Sequence, residues 1–421
     1  MSPSAPVLRC IRCEARSPIR PEFLGCPACA RPGQPGAALE LAYDLAAWRA
    51  RGLLQTWQDD WRSRDGGLWR FRELLPLPEG AEPLSLEEGT TPLVRLQHEG
   101  PGRIWLKDET RNPTGAFKDR LHAVGLTMAR ALGFTGATAA TTGNHGTSLA
   151  AYAARSGLRA LVFCDPRVPE LQRRLMAAYG AQVVVAADRG AHLEWLVRER
   201  GWYPAVGLAP DPVGSPFGAE GYKTIGFETY FQLGGRFPDR VLVPSSGGDS
   251  VYGPWKGFRE LAGLGASGRL PRMIAVQPAG CDPIVRAWKA GADVVATHPD
   301  PRTLAPSIGD ASGGPLPLVA IRESGGAALA MTDAALAEAR SRLVRQGIVV
   351  EPAGAAGVAA ALALAAGGEL GPDDDVVCIL TGTGIKWPDT LLGLGGGARL
   401  DDGRPEALRS WLEALAPATS A

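Results

Sequence analysis

The sequence predicts an α/β fold with two parallel-sheet domains, preceded by a small cysteine-rich unit. From residue 103 onward, short apolar segments alternate with longer amphipathic ones, which is the pattern of parallel strands connected by helices. The chain has 421 residues, 45% of them hydrophobic, and this is enough to bury two medium-sized cores. We therefore expect two α/β domains with a cleft between them.

The composition argues against several classes of function. Lys and Arg (44 together) balance Asp and Glu (44 together), so the charge gives no reason to expect binding to nucleic acid or to an anionic membrane surface. No apolar run reaches the roughly 20 residues of a membrane-spanning helix, and the N-terminus lacks the apolar segment of a secretory signal. Seven cysteines in a chain of this length are not typical of a disulfide scaffold. We expect a cytoplasmic protein with no membrane and no nucleic-acid partner.

Residues 1–35 are expected to form a zinc ribbon. Cys10 and Cys13 form one Cys-x-x-Cys pair and Cys26 and Cys29 form a second, with twelve residues between the pairs. Four thiolates on two tight turns suit tetrahedral Zn²⁺, and so short a segment gains from the metal the folding energy that a core would otherwise supply. Four cysteine ligands leave no open position for a substrate, so the zinc is expected to be structural. A redox pair is the alternative, disfavoured because the pairs lie outside any βαβ unit.

Residues 36–100 are expected to connect the ribbon to the main body and to pack on it. Segment 39–64 has a helical pattern, and we interpret its tryptophans as core residues. Segment 79–96 is rich in Pro and Gly and is expected to be extended. At the other end of the chain, residues 401–421 are expected to form a C-terminal helix and tail.

Residues 101–400 are expected to form the main body, with its smaller domain at approximately 120–220. Strands are predicted at 104–106, 137–140, 158–163, 183–186, 241–243, 273–276 and 375–380. Helices are predicted at 118–132, 146–156, 168–179, 219–233, 250–263, 332–346 and 354–366. Ligands of such sheets bind beyond the carboxyl ends of the strands, and four turns that contain Gly occupy such positions here.

The first of these turns leads into Lys118. Asn112-Pro-Thr-Gly115 forces a turn, and Lys118 then opens a helix. The positive end of the helix dipole lowers the pKa of such a lysine and favours the neutral, nucleophilic amine. Only six of the 44 basic residues are Lys, so a retained Lys is enriched at positions that need a primary amine. Taken alone, the turn leaves a solvated lysine as the alternative.

The second turn, residues 141–146, follows a predicted strand. Hydroxyls, an amide and a helix N-terminus together form a receptor for a carboxylate or phenolate oxygen. His145 is a candidate base, and the alternative is a histidine that the turn merely orients. The candidate residues of this turn are Thr141, Thr142, Gly143, Asn144 and His145.

The third turn follows the strand at 241–243 and opens another helix. Consecutive backbone N–H groups at a helix start form a nest suited to a phosphate. The sequence contains neither the spacing of a nucleotide P-loop nor a Gly-x-Gly-x-x-Gly motif, which disfavours a nucleotide and leaves a cofactor monophosphate. The candidate residues are Ser246, Gly247, Gly248, Asp249 and Ser250.

The fourth turn begins at Thr381, in the segment Thr381-Gly-Thr-Gly-Ile-Lys386. A neutral hydroxyl at this position is suited to pair with a ring nitrogen. The four turns therefore supply an amine, an oxygen clamp, a phosphate nest and a partner for a ring nitrogen. Together these describe one ligand, pyridoxal 5′-phosphate (PLP).

The order of these motifs resembles that of the fold-type II PLP enzymes, which share the fold of tryptophan synthase β, and among them it looks most like the threonine synthases. The resemblance extends from the cysteine pairs, which many threonine synthase relatives also carry, to about Leu394. Beyond the four turns it rests on Trp69-Arg-Phe-Arg-Glu-Leu-Leu-Pro76, Glu88-Gly-Thr-Thr-Pro-Leu93, Glu220-Gly-Tyr-Lys-Thr-Ile225 and Glu351-Pro-Ala.

The resemblance implies roles for individual residues. Lys118 would bind the cofactor covalently and, once the substrate displaces it, would act as the general base. Asn144 would hydrogen-bond the ring hydroxyl oxygen, Thr381 would meet the pyridine nitrogen, and residues 246–250 would bind the phosphate. A homodimer is expected on the same ground. The substrate would be held by Thr141, Thr142, Gly143 and His145.

The resemblance also implies a reaction, in which O-phosphohomoserine and water give threonine and phosphate. Two departures keep other substrates open. Asp249 stands in a turn that usually carries Asn in threonine synthases, so its carboxylate must turn away from the phosphate or be neutralised. Asn144 is followed by His145-Gly146, as in amino-acid dehydratases and diaminopropionate ammonia-lyases. The second hypothesis is therefore β-elimination or β-replacement on serine, threonine, diaminopropionate or an O-phosphoamino acid.

A third interpretation belongs to a different class of protein. The ribbon could make the chain a binding module for nucleic acid or protein, with an enzyme body that has lost its activity. The neutral charge disfavours this interpretation, and the presence of both Lys118 and Asn144 disfavours it further.

Overall fold

The computed structural model describes residues 5–31, 36–64, 66–208, 215–391 and Leu394. The C-terminal helix predicted at 401–421 lies outside these residues. The strands are β1 (Val7–Cys10), β2 (Arg16–Ser17), β3 (Leu39–Ala42), β4 (Leu93–Arg95), β5 (Arg103–Asp108), β6 (Gly136–Thr141), β7 (Arg159–Cys164), β8 (Gln182–Val185), β9 (Tyr203–Pro204), β10 (Arg240–Pro244), β11 (Arg272–Pro278), β12 (Ala327–Met331) and β13 (Asp375–Leu380). The α-helices are α1 (Leu45–Ala50), α2 (Leu53–Asp60), α3 (Lys118–Ala131), α4 (Asn144–Ser156), α5 (Glu170–Ala178), α6 (Arg189–Arg200), α7 (Gly218–Gln232), α8 (Asp249–Gly263), α9 (Pro283–Lys289), α10 (Leu316–Ser324), α11 (Asp333–Arg345) and α12 (Ala356–Ala366).

The N-terminal sheet has three antiparallel strands in the order β2-β1-β3. The helical prediction for residues 39–42 is wrong, because Leu39 pairs with Cys10 and its strand completes this sheet. Helix begins only at Leu45, and Gly52, with a φ of 70°, separates α1 from α2. The sheet docks on the main body through Phe23, whose ring packs edge-on against Tyr203 at 5.4 Å.

The smaller sheet of the main body is parallel throughout, in the order β8-β7-β6-β9. Its strands β6, β7 and β8 confirm three of the predicted strands. Helices α3 and α4 pack against one face of this sheet, and α6 packs near Phe163 on the other face. Helices on both faces explain why its central strands are apolar without alternation.

The larger sheet has six strands in the order β12-β11-β10-β13-β5-β4, of which only β4 is antiparallel to its neighbour. Successive side chains of β10 point to opposite faces. Val241 and Val243 pack with α7 and α8 in one core, whereas Leu242 packs with α11 and α12 in the other. Both faces are therefore buried under helices, as the α/β prediction requires.

Three α-helices and two strands within residues 101–400 were not predicted from the sequence: α6, α9, α10, β9 and β12. Strand β12 has the sequence Ala-Ala-Leu-Ala-Met, which lacks the β-branched residues that indicate a strand, and it forms by pairing with β11. No helix of the described residues is long and apolar enough to cross a membrane.

Candidate active site

The carboxyl ends of β6, β10 and β13 open onto one cavity of about 520 Å³ between the two sheets of the main body. The polypeptide turns that follow these strands carry most of the predicted site residues. The predicted residues that line the cavity are Lys118, Thr141, Thr142, Asn144, His145, Ser246, Gly247, Asp249, Ser250 and Thr381. The structure therefore brings together residues that are up to 263 positions apart in the sequence.

Gly143 and Gly248 are the predicted site residues that do not line this cavity. Both have positive φ angles, 135° and 105° respectively. A Cβ on Gly248 would lie 2.2 Å from Cγ of Pro317, and a Cβ on Gly143 would lie 2.7 Å from Oε1 of Gln172. Their contribution is to let the backbone turn tightly at the starts of α8 and α4.

Lys118 is the first residue of α3 and is held against the fourth turn by backbone hydrogen bonds. The N–H of Phe117 donates to the carbonyl of Thr381 (3.0 Å), and the N–H of Thr383 donates to the carbonyl of Gly115 (2.8 Å). Asp119 fixes the preceding turn, because its carboxylate accepts hydrogen bonds from the backbone and the hydroxyl of Thr114. The amine is thereby positioned beside the fourth turn.

The surroundings of Lys118 favour its neutral form. Its Nζ lies 4.5 Å from the ring centre of Phe117 and 5.4 Å from that of Tyr222. Burial lowers the pKa of Lys118, although the carboxylates of Asp249, Asp310 and Glu351 oppose this shift. The main cause is therefore burial, and not the helix dipole on which the sequence argument relied. A lowered pKa increases the fraction of lysine that is neutral near pH 7, and the neutral amine is the form that acts as a nucleophile or accepts a proton.

Asn144 begins α4 and is almost fully buried. Its Nδ2 donates to Oε1 of Glu351 (2.8 Å), while its Oδ1 has no partner among the described residues. Amide nitrogen and oxygen exchange places when the group rotates by half a turn. Burial raises the pKa of Glu351, so its carboxyl is suited to carry the proton that would let it donate to the amide oxygen. Asn144 can then present either an acceptor or a donor to a ligand.

The second turn is stabilised by the hydroxyl of Thr141. Its Oγ1 accepts hydrogen bonds from the N–H groups of Gly143 and Gly146, both at 2.9 Å. His145 donates from Nε2 to the carbonyl of Ala205 (2.8 Å), and burial lowers its pKa well below the usual value. The turn orients His145 as a neutral imidazole, and this geometry fits the second interpretation of that residue better than a role as a base.

The third turn presents backbone N–H groups at the start of α8. Within the described residues, the N–H groups of Gly247 and Gly248 have no acceptor in the protein. Orphaned N–H groups at the positive end of a helix are suited to bind a phosphate. Asp249 lines the same cavity, and among the described residues no basic side chain forms an ion pair with it. Of the two alternatives given for this carboxylate, neutralisation by a directly paired cation is not found among the described residues, although its charge opposes the lowering of the pKa of Lys118.

Thr381 supplies a second orphaned polar atom. It is 3% exposed, and its Oγ1 has no hydrogen-bond partner among the described residues. The cavity is therefore lined or bordered by several polar atoms without partners: Oγ1 of Thr381, Oδ1 of Asn144 and the N–H groups of the third turn. Buried polar groups are rarely left unpaired unless a ligand or water completes them. An amine, two orphaned side-chain atoms and a phosphate nest fit the donor and acceptor groups of PLP.

Three cavity residues were missed or given no role in the sequence analysis. Glu351 was noted only as part of a motif, and Asp310 and Arg189 were not noted at all. Oδ2 of Asp310 accepts from the hydroxyl of Ser246 (2.6 Å), and Nη2 of Arg189 lies 3.9 Å from Oδ1 of Asp310. These residues come from segments without a recognisable turn motif, so only Glu351-Pro-Ala gave a signal in the sequence.

The four cysteines of the N-terminal sheet converge. Sγ of Cys10 lies 3.7 Å from Sγ of Cys29, and Sγ of Cys13 lies 3.7 Å from Sγ of Cys26. All four sulfurs lie within 4.8 Å of one another. Sulfurs at the corners of a tetrahedron with Zn–S bonds of about 2.3 Å are about 3.8 Å apart. The arrangement is consistent with a zinc ribbon.

Comparison with known proteins identifies the family. Residues 84–382 match the model of the family described as "Pyridoxal-phosphate dependent enzyme". The chain is 36% identical over 396 residues to a threonine synthase of Methanocaldococcus jannaschii, covering 91% of this chain and 94% of that protein. It is 33% identical over 410 residues to a threonine synthase of Methanosarcina acetivorans, covering 96% and 97%.

Solved structures show the same fold. A threonine deaminase from the organism abbreviated T.th. aligns with a TM-score of 0.58 and 29% identity, covering 70% of this chain and 92% of that one. A fungal L-serine ammonia-lyase from Rhizomucor miehei aligns with a TM-score of 0.61 and 22% identity, covering 72% and 95%. The main body of this chain therefore has the fold-type II architecture of PLP enzymes, built on its two largely parallel sheets. This chain belongs to the family of pyridoxal-phosphate dependent enzymes, as a lyase of the threonine synthase type.

Proposed function

We propose that this protein catalyses elimination, or elimination followed by replacement, of a leaving group on an L-amino acid, with PLP bound through Lys118. The observation that carries the proposal is the position of the Lys118 amine in a cavity that also contains the orphaned atoms of Asn144 and Thr381. PLP, when bound, withdraws the electrons that are released as bonds at Cα break. The neighbouring side chains supply positioning and proton transfer.

Each residue contributes a separate part of the proposed mechanism. Lys118 would attach the cofactor and, once released, carry the proton of the substrate Cα, for which its lowered pKa suits it. Asn144 would orient the ring hydroxyl oxygen. The hydroxyl of Thr142 and the N-terminus of α4 would bind the substrate carboxylate. Thr381 would pair with the ring nitrogen without adding charge, which leaves the ring less electron-withdrawing than a carboxylate partner would and suits elimination over transamination.

The relatives support O-phosphohomoserine as the first candidate substrate, because those at 33–36% identity over most of the chain are named threonine synthases. In that reaction O-phosphohomoserine and water give threonine and phosphate. The charge of the cavity supports a second candidate, an amino acid that carries no phosphate. The similarity to threonine deaminase, at 29% identity, is in keeping with the second candidate.

Trapping with borohydride tests the role of Lys118. We expect the reduced protein to carry the cofactor on Lys118, mapped by peptide mass spectrometry. We also expect Lys118→Ala to fold and to lose turnover by about 10²–10⁴-fold or more, since the change removes both the point of attachment and the base. Lys289→Ala is the matched control, because this lysine lies at the end of α9, away from the cavity. A label on another residue, or turnover retained by Lys118→Ala, would refute the proposal.

We also propose that the four cysteines hold one structural zinc ion. The double change Cys10→Ser with Cys13→Ser is expected to reduce the zinc content from about one per chain to near zero and to lower the melting temperature, because the ribbon is too small to fold on its core alone. Arg12→Ser, an exposed change in the same turn, serves as the control. Loss of turnover in a double variant with wild-type stability would contradict a structural role.

Two further properties remain proposals. A homodimer is proposed on the resemblance to the family alone. A cytoplasmic location is proposed on the composition of the chain, in which the cysteines do not form a disulfide framework. Size-exclusion chromatography with light scattering tests the first of these, with twice the mass of the chain as the expected result.

A further inference from the structure

The Asp, Glu, Lys and Arg side chains that line the cavity are mostly acidic. Among the described lining residues only Lys118 and Arg189 are basic. The acidic residues that line the cavity are Asp188, Asp249, Asp310 and Glu351. A cavity lined in this way disfavours a ligand with several negative charges unless each charge meets a specific receptor.

Neither of the two cations is free to bind a phosphate on the substrate. Nη2 of Arg189 lies 3.1 Å from Oδ2 of Asp165 and 3.9 Å from Oδ1 of Asp310, so its charge is shared between two carboxylates. Lys118 is the point of attachment of the cofactor in the proposed function.

The two groups of backbone N–H donors that can bind anions in the cavity already have a ligand in the proposed function. The N-terminus of α8, with the orphaned N–H groups of Gly247 and Gly248, is suited to the phosphate of the cofactor. The N-terminus of α4 is suited to the carboxylate that every L-amino acid carries. A substrate phosphate would be a third anionic group, and it would have to lie near Asp249 and Asp310, whose carboxylates face the cavity without a basic partner closer than 3.9 Å.

We infer that the substrate is a small L-amino acid whose leaving group is a hydroxyl or an ammonium group and carries no negative charge. This inference rests on the proposed function and narrows its substrate. With serine, the Cα–H and Cβ–O bonds break, the proton and the hydroxyl leave as water, and the enamine takes up one water to give pyruvate and ammonia. With 2,3-diaminopropionate the Cβ–N bond breaks instead, and two molecules of ammonia accompany pyruvate.

Matched pairs of substrates test the inference on the holoenzyme. L-Serine is compared with O-phospho-L-serine and L-threonine with O-phospho-L-threonine, while O-phospho-L-homoserine and L-2,3-diaminopropionate are assayed alongside. We measure 2-oxo acid, phosphate and threonine, together with the spectral change of the bound cofactor. The expected result is a kcat/KM at least about tenfold higher for the uncharged or cationic member of the panel, since an unscreened charge beside two carboxylates costs at least this factor. Reaction of L-serine or L-threonine indicates a hydroxyl leaving group, and reaction of L-2,3-diaminopropionate indicates an ammonium leaving group.

Substitutions at the carboxylates connect the selectivity to its cause. Asp249→Asn and Asp310→Asn keep the oxygen atoms that accept from Ser250 and Ser246 but remove the charge. Each is expected to decrease the preference for serine over O-phospho-L-serine by about tenfold. Asp293→Asn, an exposed residue paired with Arg322, is the control and should leave the preference unchanged.

The possible failures can be told apart. Efficient release of phosphate from O-phospho-L-homoserine, by a protein in which Lys118 carries the cofactor, would overturn the inference and leave the proposed function intact. The inference would also be overturned if no uncharged or cationic compound of the panel altered the spectrum of such a protein. If Lys118 carries no cofactor, the proposed function itself is wrong.

Discussion

Two groups of polar residues lie close to Lys118, and they differ in how completely their hydrogen bonds are satisfied. The first is the ion cluster around Arg120, two residues further along α3. Nε of Arg120 donates to Oε2 of Glu109 (2.7 Å) and Nη1 donates to Oε1 of Glu228 (2.8 Å). Nζ of Lys107 lies 2.6 Å from Oε2 of Glu228. All four side chains are fully buried, and none of their polar atoms is left without a partner.

The second group lines the cavity and is incomplete. Oδ1 of Asn144 and Oγ1 of Thr381 are buried without partners among the described residues, as are the N–H groups of the third turn. Both groups contain buried polar atoms, so burial alone does not distinguish a structural cluster from a binding site. Unpaired polar atoms beside an open cavity do indicate a binding site, because such atoms cost free energy until a ligand binds.

The first test of this comparison removes the central cation of the ion cluster, in which every polar atom has a partner. Arg120→Met would leave Glu109 without an ion-pair partner among the described residues and Glu228 with Lys107 alone, and we expect the free energy of unfolding to fall by about 3–5 kcal/mol. Denaturation with urea, followed by fluorescence, measures the change.

The control for this change is an arginine in an exposed ion pair. Arg322→Met on α10 removes a pair with Asp293, whose side chain is 88% exposed, and should change the free energy of unfolding by no more than about 1 kcal/mol. If Arg120→Met were no more destabilising than this control, complete pairing would not be a sign of a structural role here.

The fold could be predicted from the sequence where strands are buried on both faces. Strand β13 was predicted with the bounds that the structure shows, because Val376 to Leu380 is an uninterrupted apolar run between polar residues. Strands β3 and β12 could not be predicted, since each forms by pairing with a strand that is distant in the sequence or lacks its own β propensity. Tertiary pairing decided their structure, and a local pattern contains no information about it.

The same division applies to the candidate site. The turns that carry Lys118, Asn144 and Thr381 could be located because Gly-containing turns after strands are visible in the sequence. The contact between Asn144 and Glu351 spans 207 residues, and no local pattern indicates it. Likewise, no local pattern indicates that the carboxylate of Asp310 lines the cavity. These residues determine the charge of the cavity, so the sequence indicated the cofactor more clearly than the substrate.

Lys386 is the residue that least fits the comparison. Its Nζ is buried without a hydrogen-bond partner among the described residues, and yet it does not line the cavity. Burial lowers the pKa of Lys386 from 10.5 to about 8, while the charges of Glu351 and Asp119 oppose the shift. An orphaned amine with no ligand to complete it should simply cost stability, and this cost should depend on pH.

The sign of that dependence follows from proton binding. Below pH 8 the amine is protonated in both states, so the folded protein bears the full cost of the buried charge. Between pH 8 and pH 10.5 the unfolded chain still binds the proton and the folded protein does not, so stability rises with pH. From about pH 7.5 to about pH 9.5 the wild type should therefore gain about 2 kcal/mol relative to Lys386→Met, which has an apolar side chain of similar length. Urea denaturation of both proteins at the two pH values measures this difference. If the two proteins showed the same pH dependence, a further group would have to pair with Nζ of Lys386. The polar atoms that need a partner from outside the described residues would then extend beyond the cavity.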